Sequence, residues 1–175
     1  MSISQVITLI NQMEADGVVE RYAIGGAVGA TFYLEPVATL DVDIFVVYRQ
    51  ERGKLLISLQ PILDYLAARG GVLEGEYMIV AGWPVQFLPP TSPLVEDALA
   101  NAVTVDVDGT PARVFTAEHL AAIALETGRA KDKARLLQFI EAGAIQGELF
   151  QSLLARYGLV DRWIEFEKTF LKDTP

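Results

Sequence analysis

Hydrophobic residues recur along this chain with two different periods, and the change of period separates predicted helices from predicted strands. Near the N-terminus they recur every three or four positions, which predicts a helix whose buried face carries Val6, Leu9, Ile10 and Met13. Residues 42–48 are instead an uninterrupted β-branched and aromatic run, typical of a strand covered on both faces. The mixture predicts a protein that combines helices with a sheet.

The region around this buried strand adds further elements. A short strand over residues 22–24 ends in two glycines, and residues 27–34 are predicted to form a short helix that ends before Pro36. After the buried strand, a second amphipathic helix is predicted. Its apolar face carries Leu55, Leu59, Leu63 and Leu66, and Pro61 either kinks it or begins its second segment.

Two hairpins and a helical tail complete the pattern. The first hairpin is predicted from residues 77–81 and 84–88, with its turn at Gly82-Trp83. The second turns through Asp108-Gly109, a strong hairpin signal. From Thr116 onwards the spacing is helical. The sequence therefore predicts an α/β (α+β) core over residues 1–115 and a helical C-terminal region over 116–175 packed on that core.

Composition narrows the functional classes. The 175 residues are 51% hydrophobic and 21% charged, as in an ordinary globular protein. The formal charge of −9 argues against a broad nucleic-acid surface, which needs clustered Lys and Arg. Cysteine is absent, which excludes disulfides and thiolate catalysis. Neither a membrane span nor a secretory signal is visible, so a cytoplasmic protein is the default expectation.

Asp41 and Asp43 are the first chemical signal. Side chains alternate between the faces of a strand, so these two carboxylates point the same way while Val42 points oppositely. Two adjacent carboxylates repel each other, and a divalent metal ion is the usual reason to keep them together. The pair therefore predicts a metal site, although Asp41 as a turn cap and Asp43 as a solvated edge residue is the simpler alternative.

The turn at Gly25-Gly26-Ala27 is the second signal. Glycine has no Cβ, so its backbone N–H groups can come close to an anion. A phosphate-binding turn beside a metal site predicts a nucleoside triphosphate as ligand, and the metal ion would supply the positive charge that this acidic chain lacks.

The order of a Gly-Gly turn, a short helix and Asp41-Val42-Asp43 resembles the nucleotidyltransferase superfamily of the polymerase β type, over roughly residues 20–90. The likeness is greatest to its small bacterial members in abortive-infection and toxin–antitoxin systems. The resemblance implies a mixed sheet flanked by helices, with Mg²⁺ or Mn²⁺ held by three carboxylates. It also implies transfer of a nucleoside monophosphate to a hydroxyl acceptor, which can be a small molecule, a tRNA end or a protein side chain.

Two positions depart from the family pattern. Ala27 stands where a serine is common, and Gln86 stands on the strand where the resemblance puts the third acid. A glutamine oxygen is a weaker metal ligand and cannot act as a base at neutral pH. Either Glu74 or Glu76 replaces the missing acid, or the protein is a non-catalytic nucleotide-binding or interaction protein of the same fold.

A basic cluster near residue 130 supplies candidate phosphate ligands. It consists of Arg129, Lys131, Lys133 and Arg135. Arg129 and Lys133 are four residues apart, so a shared helical face predicts that these two neutralise a triphosphate, unless the cluster is only a solvated surface. The single histidine, His119, falls in the first turn of a predicted helix and is expected to be structural.

A dinucleotide-binding turn of the Rossmann type is the remaining alternative, with residues 25–30 as the turn and Asp41 or Asp43 as the ribose ligand. The glycine spacing does not match that motif, and the acids stand at the start of their strand instead of its end.

Overall fold

The computed structural model describes residues 2–35, 41–48 and 58–171. Leu55, in the first half of the second predicted helix, lies outside these residues. The elements in chain order are α1 Ile3–Ala15, β1 Val19–Ile24, α2 Gly26–Ala30, β2 Val42–Tyr48, α3 Gln60–Ala67, β3 Val72–Glu74, β4 Tyr77–Val80, β5 Trp83–Leu88, α4 Pro93–Ala100, β6 Val103–Val107, β7 Thr110–Val114, α5 Ala117–Thr127, α6 Ala130–Glu141, α7 Gly147–Arg156 and α8 Val160–Phe170.

All seven strands of the described residues form one mixed sheet in the order β3-β4-β5-β2-β1-β7-β6. The pairs β2–β5 and β1–β7 are parallel, and the remaining pairs are antiparallel. The predicted fold class is confirmed. The Rossmann alternative is wrong, because β1 and β2 on either side of the glycine turn are antiparallel, whereas that motif requires parallel neighbours.

Helices cover both faces of the sheet, and alternate side chains of β2 pack against the helices on each face. Val42, Ile44 and Val46 belong to a core that includes residues of α1 and α3. Phe45 and Val47 point to the opposite face and pack against a second core, which is built largely from α4 to α8. The sheet is therefore the middle of three layers, and the candidate residue Asp43 points to the face covered by the C-terminal helices.

Local sequence explains most element boundaries. Ser2 caps α1, and the Ser92 side chain accepts a hydrogen bond from the Val95 amide at the start of α4. The hairpin at Asp108-Gly109 is confirmed, with both residues at positive φ as a type I′ turn requires. Pro61 stands in the first turn of α3, so it begins this segment and does not kink it.

Four local features differ from the predictions. The first hairpin turns at Ala81-Gly82, one residue before the predicted position, because these two residues adopt the positive φ of the turn. The short strand β3 was not predicted, since three exposed residues carry no periodic signal. Helix α2 ends at Ala30, and residues 31–33 continue as turns. The buried face of α1 includes Ile7, whereas Leu9 is only half-buried.

The helices after residue 116 pack on the sheet through a shared core. Phe115 and Ala23 contribute from the sheet, and Leu120, Leu136 and Phe139 contribute from α5 and α6. This arrangement holds the N-terminal end of α6 over the strand that carries Asp43. No helix among the described residues is long and apolar enough to cross a membrane.

Candidate functional site

The register of two parallel strands brings the predicted acidic residues and Gln86 together. Asp43 on β2 pairs directly with Gln86 on β5, so their side chains lie side by side on one face of the sheet. Asp41 precedes β2 by one residue and lines the same cavity as both of them. Asp41, Asp43 and Gln86 are called the strand wall below.

Gly26 allows the strand wall and the glycine turn to touch. Its φ is +56°, and a Cβ built at Gly26 would lie 1.8 Å from Oδ2 of Asp43. Any other residue would therefore displace the Asp43 carboxylate as well as strain the backbone. Gly26 and Ala27 both line the cavity, which brings the predicted turn and the predicted metal ligands to one place.

Gly25 has a different role from the one that the sequence suggested. Its amide donates a 3.0 Å hydrogen bond to the backbone oxygen of Asp43, so this N–H is not available to a phosphate. A Cβ at Gly25 would lie 2.5 Å from the Phe45 ring, which packs against Phe115. Gly25 thus fastens the turn to β2, and the predicted phosphate contact through its amide is wrong.

The electrostatics of Asp43 reflect its position between charges of both signs. Burial raises the pKa of the Asp43 carboxyl above its ordinary value, and the negative charge of Asp41 raises this pKa further. Lys131, Arg135 and Arg129 lower it in part. Ionised Asp43 is therefore held at a cost that an additional positive charge at the strand wall would relieve.

The positive charges come from the start of α6. Arg129, Lys131 and Arg135 line the cavity opposite the strands, and with Asp132 they are called the helix wall below. Lys133 lines a separate cavity of about 390 Å³, where its ammonium group lies 6.0 Å from the centre of the Phe170 ring. The predicted pairing of Arg129 with Lys133 is not found, because the Arg129 side chain is held by Asp132 and lines the first cavity, whereas Lys133 lines the second.

Arg129 is the residue before the first residue of α6, and its carbonyl oxygen accepts a hydrogen bond of 3.0 Å from the Lys133 amide. Within α6, the residues four apart that share a face toward the cavity are Lys131 and Arg135. Both pairs have the same spacing, so the sequence alone could not choose between them. Tyr77 was missed because an aromatic residue in a hairpin gives no specific signal. It lines the cavity beside the acids, and Glu76, desolvation and then Asp41 and Asp43 raise the pKa of its hydroxyl.

The cavity between the two walls has a volume of about 760 Å³. Seven apolar residues also line it and are called the floor below: Phe45, Leu88, Val95, Phe115, Leu120, Ile123 and Ala124. Thr91, Glu126 and Thr127 add polar groups at its border. An apolar floor between an acidic and a basic wall suits a ligand with a flat apolar part and a polyanionic tail.

A third acidic ligand is absent from the part of the chain that the structure describes. No three His, Asp or Glu side chains of residues 2–35, 41–48 and 58–171 converge on one point. Glu74 is exposed on β3 and does not line the cavity. Glu76 accepts a hydrogen bond of 3.3 Å from the Gln86 amide and does not line the cavity.

The donor set still fits a hard divalent cation. Asp41 and Asp43 provide carboxylate oxygens, and the Gln86 amide that donates to Glu76 leaves its carbonyl oxygen for a ligand. Oxygen-only sets of this kind suit Mg²⁺ or Mn²⁺ better than softer metals. The pKa of Asp43 is raised because burial and the charge of Asp41 disfavour its ionised form, and a bound cation would stabilise that form.

His119 lies outside the cavity lining, as a structural role would require. Its Nδ1 lies 2.7 Å from Oγ1 of Thr116, the residue that caps α5, and its Nε2 lies 3.3 Å from Asp97 on α4. The side chain therefore fastens α4 to α5.

The architecture is that of nucleotidyltransferase-like proteins. A crystal structure of an antigenic nucleotidyltransferase-like protein from Paracoccidioides brasiliensis is similar with a TM-score of 0.58, at 16% identity over 95% of this chain and 91% of that chain. The structure of ANT(2'')-Ia with adenylyl-2''-tobramycin has a TM-score of 0.54, at 14% identity over 91% and 98% of the two chains.

A solution structure of the antibiotic-resistance factor ANT(2'')-Ia is similar with a TM-score of 0.53, at 15% identity over 97% of this chain and 98% of that one. No family model matches the sequence, and no curated protein matches it. At these identities the likeness concerns the fold.

Proposed function

We propose that the cavity between the strand wall and the helix wall binds a nucleoside triphosphate together with a divalent cation. One observation carries this proposal: Asp41, Asp43 and Gln86 line the same cavity as Arg129, Lys131 and Arg135. A metal-bound polyphosphate needs carboxylates on its metal side and cations on its oxygen side. The fold shared with nucleotidyltransferase-like proteins is consistent with this ligand.

Each wall has its own task in this proposal. The Asp41 and Asp43 carboxylates bind the Mg²⁺ or Mn²⁺ ion, which supplies Lewis-acid polarisation of the bound phosphate when present. Lys131 and Arg135 bind the non-bridging phosphate oxygens from the opposite side. The backbone of Gly26 and Ala27 borders the phosphates, and the apolar floor receives the base. Lys133 and the Gly25 amide have no part in binding.

Transfer of the nucleoside monophosphate to a hydroxyl acceptor is the reaction that this arrangement would support. Gln86 cannot accept the proton of that hydroxyl at neutral pH. Glu76 is hydrogen-bonded to Gln86 and does not line the cavity. We therefore expect transfer by the isolated protein to be slow. The adenylylated aminoglycoside bound to ANT(2'')-Ia favours a small hydroxylated molecule as acceptor over a macromolecule.

A non-catalytic nucleotide-binding protein of the same fold is the second candidate. Gln86 in place of an acid and Ala27 in place of a serine both favour it, because both weaken the set of residues that catalysis would need. A role in a toxin–antitoxin or abortive-infection system, with a protein partner, stays a prediction from the sequence resemblance, as does a cytoplasmic location.

Calorimetric titration tests the binding proposal. The four common nucleoside triphosphates are titrated into the protein with Mg²⁺ and again with a chelator, and pyrophosphate release is then followed with candidate acceptors. We expect metal-dependent binding of at least one triphosphate. Binding that is independent of Mg²⁺, or no binding of any triphosphate, would contradict the proposal. Pyrophosphate release that requires an acceptor would decide for the enzyme over the non-catalytic candidate.

A further inference from the structure

One carboxylate, that of Asp132, lies on the helix wall among the cations that are proposed to bind phosphate. Asp132 stands in the first turn of α6, lines the cavity and has only 3% of its side chain exposed. A fixed negative charge there repels phosphate and is costly to bury without partners. Asp132 therefore does not bind the proposed ligand directly. The reason for a carboxylate at this position has to be sought in the residues that Asp132 contacts.

Those contacts are with the two guanidinium groups of the helix wall. Arg129 donates from Nε to Oδ2 at 2.6 Å and from one terminal nitrogen to Oδ1 at 3.2 Å. A terminal nitrogen of Arg135 lies 4.0 Å from Oδ1 of Asp132. The buried carboxylate thus lies between an arginine that precedes α6 and an arginine one turn along it.

The two arginines differ in the exposed fraction of their side chains. The Arg135 side chain is 18% exposed, whereas that of Arg129 is 60% exposed and its residue precedes the helix. An exposed arginine loses rotamer freedom when it binds an anion, and this entropy weakens binding. A two-point ion pair removes that freedom before the ligand arrives, because the planar guanidinium keeps further N–H donors for a second partner.

We propose that Asp132 is a positioning residue that fixes Arg129 and Arg135 toward the phosphates of the bound nucleotide. This inference rests on the proposed function, since it assigns the arginines to a polyphosphate. Asp132 touches the arginines and not the ligand. Its contribution to binding comes from arginine geometry and outweighs the repulsion between its own charge and the phosphates.

A merely structural role makes different predictions. Asp132 also accepts a hydrogen bond of 3.3 Å from the Arg129 amide and so helps to begin α6. Asparagine keeps one acceptor oxygen for that amide and loses only the charge and the paired geometry. If capping were the whole role, Asp132→Asn would remove a negative charge near the phosphates and tighten anion binding. Positioning predicts the opposite sign.

The experiment measures the affinity of the full chain for Mg·ATP, or for whichever triphosphate the titration above selects, and for inorganic tripolyphosphate. Asp132→Asn is compared with Asp132→Glu and with Asp161→Asn, which removes a first-turn acid of α8 outside the cavity. We expect Asp132→Asn to weaken both ligands about 10-fold, as for loss of one charge-assisted contact, and Asp132→Glu to recover most of the loss. Asp161→Asn is expected to leave both affinities unchanged.

A second measurement separates positioning from folding. In Arg129→Met, whose replaced side chain is mostly exposed, Asp132→Asn is expected to cost much less affinity than in the wild type, because the group it positions has gone. NMR of the arginine Nε–H groups is expected to show Arg129 ordered without ligand and mobile in Asp132→Asn. If Asp132→Asn does not fold, Asp132→Glu replaces it: any change in triphosphate affinity should follow the change in order of the Arg129 Nε–H group and should shrink in the Arg129→Met background.

The outcomes distinguish the two proposals. A wild-type protein that binds no triphosphate overturns the proposed function and this inference with it. Wild-type binding with unchanged or tighter binding in Asp132→Asn overturns positioning alone, as does an Arg129 side chain that is already mobile in the wild type. Weakened binding, recovery by glutamate and loss of coupling in Arg129→Met support it.

Discussion

The two walls of the cavity hold their charges by different means. On the strand wall, Asp43 and Gln86 point to the same face of the sheet, because they are direct register partners in two parallel strands. On the helix wall, Arg129 is mostly exposed and depends on one ion pair with Asp132 for its orientation. Backbone hydrogen bonding therefore fixes the acids, whereas side-chain contacts fix the cations.

This difference has an energetic side. Asp43 is half-buried next to Asp41, so the strand wall is unfavourable until a cation binds. The helix wall contains one negative charge, Asp132, which pairs with Arg129, and it keeps a positive excess without ligand because Lys131 and Arg135 also belong to it. The strand wall should therefore set metal dependence, and the helix wall should set affinity for phosphate. The predictions below test this division, beginning with the largest effect.

Asp43→Asn is expected to weaken Mg²⁺-dependent triphosphate binding on the order of 100-fold, because even indirect support of metal ligands contributes 10- to 100-fold. The matched control is Glu74→Gln, which removes an exposed carboxylate outside the cavity. Calorimetry with and without Mg²⁺ measures both variants. Equal affinity in the wild type and Asp43→Asn would remove the metal role from the strand wall.

Lys131→Met and Arg135→Met are each expected to weaken triphosphate binding about 10-fold, since each loses one charge-assisted contact with phosphate. Lys133→Met makes the same change of charge on the same helix but in a different cavity, and it should have little effect. The same titration decides. A loss in Lys133→Met equal to that in Lys131→Met would mean that net charge alone, and not a defined wall, attracts the ligand.

Gln86→Glu is expected to raise Mg²⁺ affinity by a smaller factor and to lower stability without metal. The new carboxylate would lie beside Asp43 and opposite Glu76, so three negative charges would repel until a cation is bound. Each 1 kcal/mol of this repulsion lowers the melting temperature of a chain of this size by about 2–4 °C. Melting curves across a Mg²⁺ series measure both effects. A variant that melts like the wild type at every Mg²⁺ concentration would place Gln86 outside the metal site.

The smallest effect concerns the stability of the ligand-free protein. The pKa of Asp43 is raised by folding, so its ionised form costs stability above that pKa, and the cost disappears as pH falls below the unfolded value. Asp43→Asn should therefore melt higher than the wild type at about pH 7, by on the order of 2 °C, with a smaller difference at about pH 4. A difference of opposite sign at neutral pH would show that Lys131, Arg135 and Arg129 overcompensate for burial and for Asp41.

Much of the fold was visible in local sequence. The strand at 42–48 and the Asp108-Gly109 hairpin each depend on neighbouring residues, and both predictions are confirmed. The fold class is confirmed as well. Strand β3 escaped because an exposed edge strand of three residues needs no hydrophobic pattern.

The residues of the candidate site also fall into two groups, those that the sequence predicted and those that it did not. Alternation along one strand was enough to put Asp41 and Asp43 on one side, and the sequence resemblance was enough to select Gln86. The helix wall could not be predicted, because it depends on which face of α6 packs toward the sheet. The four-residue spacing holds both for Lys131 with Arg135 and for Arg129 with Lys133, and only the first pair lines the cavity with both members.

The sequence by itself determined which residues could carry the chemistry and which of them share a strand, since both follow from residue type and a period of two. Only the tertiary structure decided that α6 lies over Asp43, that Asp132 is enclosed between two arginines, and that the Gly25 amide is engaged. These facts depend on how the C-terminal helices pack against the sheet, and packing joins residues that are far apart in sequence and leave no local pattern.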